Sequence, residues 1–522
     1  MNMKKRMLCL AFSAVLALSI AGCAPSEYTI VIDQSVGNAD TGVGIWQNDG
    51  PGGETGTVPP GVSTAGVRIN EGFPEEFYTY DKVTFDFIGD DVMPVTAWVM
   101  PEATDENYAA VAEAGINAIS PLGITIEDTA DVENNLLLCE KYSINFFLHN
   151  DYATAYGSAE EMSESFAYAL ESPAFGGIAY DEPGLLFMKE VGLVHEYMQT
   201  FMSSKIFFLN NMGPGMAPIS VSIGNTSGTH QQAVEKFQST VYGNAFIDSF
   251  DGDYLYDLIE GSGYNSENID YKVCYQAVFD IMRPPIFSFD SYMLREPFPY
   301  IANNYFDTLS IGIHYAQDHG VPFWNYIQVI GQENGLRPMR SQEILFQVNT
   351  SLSYGAKGIN YFLYYWNAGE DTAWVLPMVD ADGNKTESYY NVRRANLQLA
   401  AADEILLYSM HRGVMQCGWT PAPVPVRDRL ESYGVLAGAD SPHALIGCFD
   451  YDADRDGAFE SNVYYVTNNS VQNAADTVLY FEGKQNVTVI QEGQTRQYEG
   501  VNELHLRQAA GVGTLVYAEV AE

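Results

Sequence analysis

Short apolar segments alternate with helix-like segments along the middle of the chain. Eight apolar runs have the length of β-strands, and a stretch with helical spacing follows each of them. Runs that are apolar throughout indicate parallel strands that are buried on both faces. The runs are Val95–Met100, Ile116–Ser120, Ile144–His149, Gly177–Tyr180, Lys205–Asn210, Pro285–Asp290, Val321–Ile327 and Lys357–Tyr364.

Eight βα units predict a closed (β/α)8 barrel, the TIM barrel, and the span from about Met93 to Leu407 fits its usual size. The alternative is an open, doubly wound parallel sheet, but no G-x-G-x-x-G motif opens a helix. We assign residues 73–410 to the barrel, with an insertion at about 213–282 that forms a small subdomain over one rim. The predicted helices include Asp105–Ala114, Val132–Tyr142, Ala159–Leu170, Leu185–Met202, Ser341–Ser353 and Tyr390–Leu407.

Period-two alternation replaces the helical pattern after Met410. Short runs separated by turn residues are typical of antiparallel strands, so residues 411–522 are predicted to form a C-terminal β-sandwich. The predicted strands are Val435–Ala437, Ala444–Phe449, Val463–Thr467, Thr477–Tyr480, Val487–Val489 and Thr514–Val516.

The first residues form a processing segment. Three basic residues at positions 4–6 precede the apolar run Met7–Ile20, which is too short to span about 30 Å of hydrocarbon comfortably. The run ends in Ala21-Gly22-Cys23, which resembles the lipobox of bacterial lipoprotein signals. That resemblance implies removal of residues 1–22 and lipidation of Cys23; an ordinary secretory signal is the alternative. Residues 23–72 are rich in Gly, Thr and Pro and are predicted to be a flexible tether.

The excess of acidic over basic residues limits the classes of partner that the protein can bind. The chain has 67 acidic and 25 basic residues, a net charge of −42, so it repels nucleic acids, and we expect membrane contact through the lipid anchor only. The six cysteines form no C-x-x-C pair, so we expect no metal; buried thiols are favoured over a Cys417–Cys448 disulfide. Asp452–Gly457 begins like a calcium loop, but Val463 stands where the twelfth-position glutamate should be. No cofactor motif is found.

Reactive groups of a barrel lie at the carboxyl ends of its strands. The ends of these strands carry carboxylates, amides and aromatic rings together. Such a rim suits a neutral carbohydrate, because aromatic faces pack on the C–H faces of sugars while carboxylates bind hydroxyls and transfer protons. The candidate carboxylates are Asp181, Glu182, Asp290 and Glu333. The candidate sugar-binding residues are Trp98, His149, Asp151, Asn211, Tyr292, Trp324, Gln328, Tyr364 and Trp366.

The stretch from Pro173 to Gly184, with Tyr180-Asp181-Glu182-Pro183 at its centre, resembles the fourth-strand motif of barrel glycoside hydrolases of the β-galactosidase, or clan A, type. The stretches Val321–Gln328 and Tyr354–Phe362 are similar to the seventh and eighth strands of that group. The resemblance implies glycoside hydrolysis, a β-sandwich after the barrel, and Glu182 as the general acid/base.

The sequence departs from that group at the end of the seventh strand. Retaining members have a nucleophilic glutamate there, and here Gln328 occupies the position while Glu333 lies further into the loop. Three interpretations stay open: Glu333 acts as the nucleophile, Asp290 or Asp181 acts as the base of an inverting reaction, or the barrel binds carbohydrate without cleaving it. In each catalytic case Asp181 and partial burial are expected to raise the pKa of Glu182.

Overall fold

The computed structural model describes residues 84–89, 91–122, 124–150, 156–183, 188–214, 271, 275, 278–332, 335–366, 374–455, 459 and 461–520. The predicted signal peptide, Cys23, the tether and most of the predicted insertion lie outside these residues, as do Asp151 and Glu333. Within the described part of the chain, no helix is both long enough and apolar enough to cross a membrane.

Eight parallel strands close into a barrel in which each strand pairs with the next and the last pairs with the first. The predicted (β/α)8 barrel is confirmed, and the open doubly wound sheet is excluded. The strands are Val95–Trp98 (β1), Ala118–Ser120 (β2), Asn145–His149 (β3), Phe175–Asp181 (β4), Ile206–Met212 (β5), Phe287–Asp290 (β6), Phe323–Gln328 (β7) and Gly358–Phe362 (β8).

Helices surround the barrel in the described residues. A π-helical turn, Val278–Met282, precedes β6. Ser158 shows why one helix begins where it does, because its side chain accepts a hydrogen bond from the Glu161 N–H at 3.2 Å. The helices are Asp105–Glu113 (α1), Thr129–Tyr142 (α2), Ala159–Leu170 (α3), Met188–Phe201 (α4), Tyr305–His319 (α5), Ser341–Ser353 (α6), Glu387–Leu399 (α7) and Asp403–Leu407 (α8). The predicted single helix Tyr390–Leu407 is therefore two helices.

Side chains alternate along each strand between the barrel interior and the surrounding helices. The interior cluster includes Trp98, Phe147, Ala179, Phe208 and Trp324. Their neighbours in sequence face the helices and join the larger apolar core. Position 177 has room for glycine but not for a larger residue, because a Cβ on Gly177 would lie 1.9 Å from the backbone oxygen of Ile206 on β5. Each strand thus delivers every second residue to the barrel axis.

The C-terminal domain is one antiparallel sheet of seven strands. One face closes its own apolar cluster, which includes Ile446, Tyr464 and Val516, and the other face packs on the barrel through Leu445 and Tyr465. The predicted C-terminal antiparallel domain is confirmed. Its strands are Ser409–Gly418 (β9), Leu436–Asp440 (β10), His443–Tyr451 (β11), Ser461–Asn468 (β12), Ala475–Gln491 (β13), Gln494–Gln508 (β14) and Gly513–Val520 (β15).

Two strands of this domain were not predicted. β9 follows α8 almost without a connection, and β14 is polar on both faces over most of its length, so neither gives an apolar alternation. The runs predicted at 477–480 and 487–489 belong to the single long strand β13. Cys417 and Cys448 are free thiols, because the register opposes Cys417 to Ala444 and Cys448 to Gly413. The alternative of a disulfide is therefore excluded.

α6 is one of the elements of the barrel that contact the sheet. The Tyr465 hydroxyl donates to Asn349 Oδ1 at 2.8 Å, and the hydroxyls of Ser353 and Thr467 are 2.8 Å apart. All four side chains are buried, so these bonds form away from water. The sheet therefore packs on the outer side of the barrel, and the carboxyl ends of the strands are left to form a site.

Candidate active site

The end of β4 turns sharply at Glu182. Asp181 is the last residue of the strand, and Glu182 has a φ of 46°, a left-handed conformation that is uncommon for a residue with a side chain. Its N–H still donates to the Asn210 carbonyl of β5 at 2.8 Å. Because the backbone turns here instead of continuing the pleat, Asp181 and Glu182 both reach the barrel mouth.

Three carboxyl groups meet at this mouth. Glu182 and Asp290, at the ends of β4 and β6, share a hydrogen bond in which Glu182 is the protonated donor. Asp181 lies beside them, and its Oδ1 accepts a hydrogen bond from Asn210 Nδ2 at 2.8 Å. All three carboxyl side chains are half-buried. The structure therefore brings together three of the four carboxylates that the sequence singled out.

Burial is the largest cause of the raised pKa of each carboxyl in this cluster. Burial, followed by the Asp290 charge, raises the pKa of Asp181 to about 7. Burial and the charges of Asp290 and Asp181 hold the pKa of Glu182 well above its usual range. The pKa of Asp290 is also raised by burial, but hydrogen bonds from Glu182, Tyr292 and Asn210 oppose the rise. The proton of this pair therefore resides on Glu182, and Asp290 accepts the hydrogen bond.

Neutral groups surround the cluster in the described residues. Asn210, Tyr292 and Tyr326 are the polar side chains that interact with the three carboxyls, and none of the groups that shift their pKa values is a cation. A buried carboxyl without a cationic partner is kept neutral by retaining a proton. The site therefore favours the protonated form of a carboxyl group, which is the form that general acid catalysis requires.

Aromatic rings pack beside the carboxyl cluster, and Trp98 and Tyr326 among them are buried. The rings of Trp98 and Tyr326 lie 5.8 Å apart, and Trp98 meets His149 edge-on at 6.1 Å. Tyr292 stacks on Phe362 at 5.7 Å. Trp366 packs on the same cluster, and among the described residues its enclosed indole N–H has no hydrogen-bond partner. Tyr292 and Trp366 are partly exposed, so they are the rings of this group that a ligand can contact.

Three predicted sugar-binding residues lie away from the mouth. Asn211 donates to the Ser288 carbonyl of the next strand at 2.7 Å. Trp324 is fully buried deeper in the barrel, 5.3 Å from the Phe208 ring. Tyr364 points outward and meets Tyr389 of α7 edge-on at 6.5 Å. These positions make the three residues parts of the scaffold.

Gln328 also lies below the mouth. It is fully buried, and its amide bonds backbone groups of Leu294 and Arg337. Those bonds use both ends of the amide, so no polar atom of this side chain remains for a substrate.

Two residues of the site were missed from the sequence. Asn210 bonds Asp181 and Asp290, and Tyr326 lies against all three carboxyls. Both are inward-facing residues of β5 and β7, two positions before the last residue of the strand. Period-two alternation, counted backwards from the end of each strand, is the signal that finds them.

The same side chains do not form a metal site. In the part of the chain that the structure describes, no group of three or more His, Cys, Asp or Glu side chains has the arrangement of a metal site. The carboxyl cluster is held together by a shared proton and by neutral donors.

Comparison with known proteins gives structural neighbours but no sequence family. No protein-family model matches the chain, and no curated protein matches it. A β-galactosidase from G. stearothermophilus gives a TM-score of 0.45 at 8% identity, covering 84% of this chain and 99% of that one. A β-galactosidase from Bacillus circulans sp. alkalophilus gives 0.43 at 9%, covering 82% and 100%.

The α-L-arabinofuranosidase from Thermotoga maritima gives a TM-score of 0.43 at 9% identity, covering 82% of this chain and 100% of that one. All three TM-scores lie below 0.5 and all three identities below 10%, so these likenesses carry no conclusion about the activity of this chain. The chemistry of the site has to come from this chain's own side chains.

Proposed function

We propose that the protein is an exported, membrane-anchored glycoside hydrolase in which Glu182 is the general acid. The observation that carries the proposal is the hydrogen bond from protonated Glu182 to Asp290 at the carboxyl end of the barrel, beside aromatic rings. Hydrolysis of a glycoside needs a proton for a poor alkoxide leaving group. A protonated carboxyl group supplies it.

Asp290 prepares Glu182 for this role. Without a substrate, the Asp290 carboxylate accepts a hydrogen bond from the protonated Glu182 carboxyl, and the negative charge of Asp290 disfavours ionisation of Glu182. When a substrate enters, its glycosidic oxygen replaces Asp290 as the acceptor. Glu182 then passes the proton to that oxygen as the bond to the sugar carbon breaks.

The position of Asp290 bears on the second carboxylate. Paired carboxyls stand about 5–5.5 Å apart in retaining enzymes and about 6.5–9.5 Å apart in inverting ones. The carboxyls of Glu182 and Asp290 interact directly, and each shifts the pKa of the other. We therefore assign Asp290 to the control of the Glu182 proton, and keep Asp181 or Glu333 as the second catalytic carboxylate.

The same direct contact favours one competing function. A barrel that binds carbohydrate without cleaving it needs aromatic rings and hydrogen-bonding carboxyls but no separation between two catalytic groups. In that case the protein is a surface carbohydrate-binding lipoprotein, and sugars bind to it and are recovered intact.

Incubation with a panel of oligosaccharides and aryl glycosides separates the two functions. We expect product release, and NMR of the first product anomer then gives the stereochemistry. Glu182→Gln should abolish most of the release from natural glycosides. Glu164→Gln, an exposed glutamate in the middle of α3, is the matched control and should keep full activity. Sugar binding without any product would overturn the hydrolase in favour of the binding protein.

A further inference from the structure

A single buried side chain attaches the segment after β6 to the end of β7. Gln328 is the last residue of β7 and has no exposed surface. Its Oε1 accepts from the Leu294 N–H at 3.2 Å, and its Nε2 donates to the Leu294 carbonyl at 3.0 Å. The amide thus pairs with both backbone groups of one residue, as a neighbouring strand would do.

The segment after β7 is hydrogen-bonded to Gln328 and to the segment after β6. Gln328 Nε2 also donates to the Arg337 carbonyl at 3.1 Å. The Arg337 guanidinium donates to the carbonyls of Arg295 and Tyr300, the latter at 2.7 Å, and its Nε bonds Glu343 at 2.9 Å. Arg337 and Glu343 are both buried. The segments after the two strands therefore form one braced unit.

Tyr292 lies within this unit, halfway between Asp290 and Leu294. Its hydroxyl faces the Asp290 carboxylate and lowers the pKa of that carboxyl, and its ring stacks on Phe362 of β8. Leu294, whose backbone Gln328 holds, is only two residues further along the chain. A shift of that backbone would therefore move Tyr292 as well.

We propose that Gln328 is a positioning residue that holds the segment after β6 so that the Tyr292 hydroxyl reaches Asp290. The inference rests on the proposed role of the Glu182–Asp290 pair. It also explains the amide at this position, because an ionised glutamate has no N–H to donate to the carbonyls of Leu294 and Arg337.

The pKa of Asp290 depends on the position of Tyr292 whether or not the site is catalytic. The described groups that face Asp290 are Glu182 and Asp181 from β4, Asn210 from β5, Tyr326 from β7 and Tyr292. The hydrogen bond from Tyr292 favours ionised Asp290. Removing it raises the pKa of Asp290, and so does any change that moves Tyr292 away.

The test is a double-mutant cycle with Gln328→Met and Tyr292→Phe. The Asp290 carboxyl is titrated by NMR in the full chain labelled with ¹³C at aspartate carboxyls, and its signal is assigned with Asp290→Asn. Each single variant should raise the pKa of Asp290, and the double variant should shift it no further than Tyr292→Phe alone. Additive shifts, or no shift in Gln328→Met, would overturn the proposal.

Two further variants protect the test against misfolding. Asn349→Leu removes another buried amide, on the side of α6 that faces the C-terminal sheet, and should lower the melting temperature without moving the Asp290 titration. Gln328→Asn keeps a donor and an acceptor on a shorter side chain, and it should shift the titration in the same direction if Gln328→Met does not fold. The NMR titration needs no turnover, so an inactive protein with the expected shifts would contradict the proposed function alone.

Discussion

Glu182 donates a hydrogen bond to Asp290 across the mouth of the barrel, from the end of β4 to the end of β6. Neither residue has a cation beside it among the groups that shift its pKa. Two carboxyls in contact within a low-dielectric site cannot both be ionised, so they hold one proton between them. This shared proton is what makes the site a candidate proton donor.

Removing the charge of Asp290 should change the pH range of activity. The negative charge of Asp290 raises the pKa of Glu182, so Asp290→Asn should lower that pKa and move the alkaline limb of kcat/KM to lower pH. The measurement is a pH–rate profile of the variant beside Asp476→Asn, an exposed aspartate of β13. An alkaline limb that stays in place or moves upward would contradict the shared proton.

The carboxyl cluster should also make the stability of the fold depend on pH. The pKa of Asp181 rises from 3.8 to about 7 on folding, so the folded protein holds this proton more tightly than the unfolded chain does. The resulting stabilisation is complete below about pH 4 and is lost as the pH rises through about 7.

Asp181→Asn removes this titration and keeps the oxygen that accepts from Asn210. Its melting temperature relative to the wild type should therefore be higher at pH 8 than at pH 4.5. Scanning calorimetry at the two pH values measures the difference, with Asp476→Asn as the control. A relative melting temperature that is equal at both pH values would show that Asp181 is not desolvated as described.

The architecture could be predicted from the sequence because buried parallel strands are apolar on both faces. The site was harder to predict, because its residues depend on where each strand ends and which way its last residues point. The sequence predicts Asn211 as a site residue, whereas in the structure Asn210 faces the barrel axis. The reason is that β5 continues to Met212, and a shift of one residue exchanges the two faces of a strand.

Tyr364 and Trp324 show two further reasons why the site residues were hard to predict from the sequence. Both are aromatic residues near the ends of apolar runs, yet one faces the helices and the other lies deep in the barrel. The turn at Glu182 was expected from Pro183, which cannot donate to a ladder of hydrogen bonds. The contact between Glu182 and Asp290 joins strands 108 residues apart in the chain (290 − 182), and the pattern of one sequence carries no such distance.

The packing of the C-terminal sheet on α6 can be tested with two glycines. A Cβ on Gly447 of β11 would lie 2.2 Å from the Ser353 carbonyl of α6, whereas one on Gly438 of β10 meets no atom within 4 Å. Gly447→Ala should therefore destabilise the protein by about 1–3 kcal/mol, the usual cost of overpacking, and Gly438→Ala should not. Calorimetry compares the two variants. Equal melting temperatures would mean that the sheet does not pack on α6 in this way.

The lipid anchor is tested by Cys23→Ser. Acylation of the Cys23 sulfur would attach the mature protein to the membrane, and serine has no thiol for this modification. When the chain is expressed in a bacterium that processes lipoproteins, we expect the wild type in the membrane fraction and the variant in the soluble fraction. Retention of the variant in the membrane fraction would contradict lipidation at this residue.

The most direct test of the central claim is the dependence of Glu182→Gln on the leaving group. The amide keeps the shape of the side chain but has no acidic proton, so natural glycosides should be cleaved about 100-fold more slowly or worse. Aryl glycosides with activated leaving groups need little protonation and should lose far less. Comparing kcat/KM of the variant on both substrate types gives the result. Equal losses on the two would contradict the assignment of Glu182 as the proton donor.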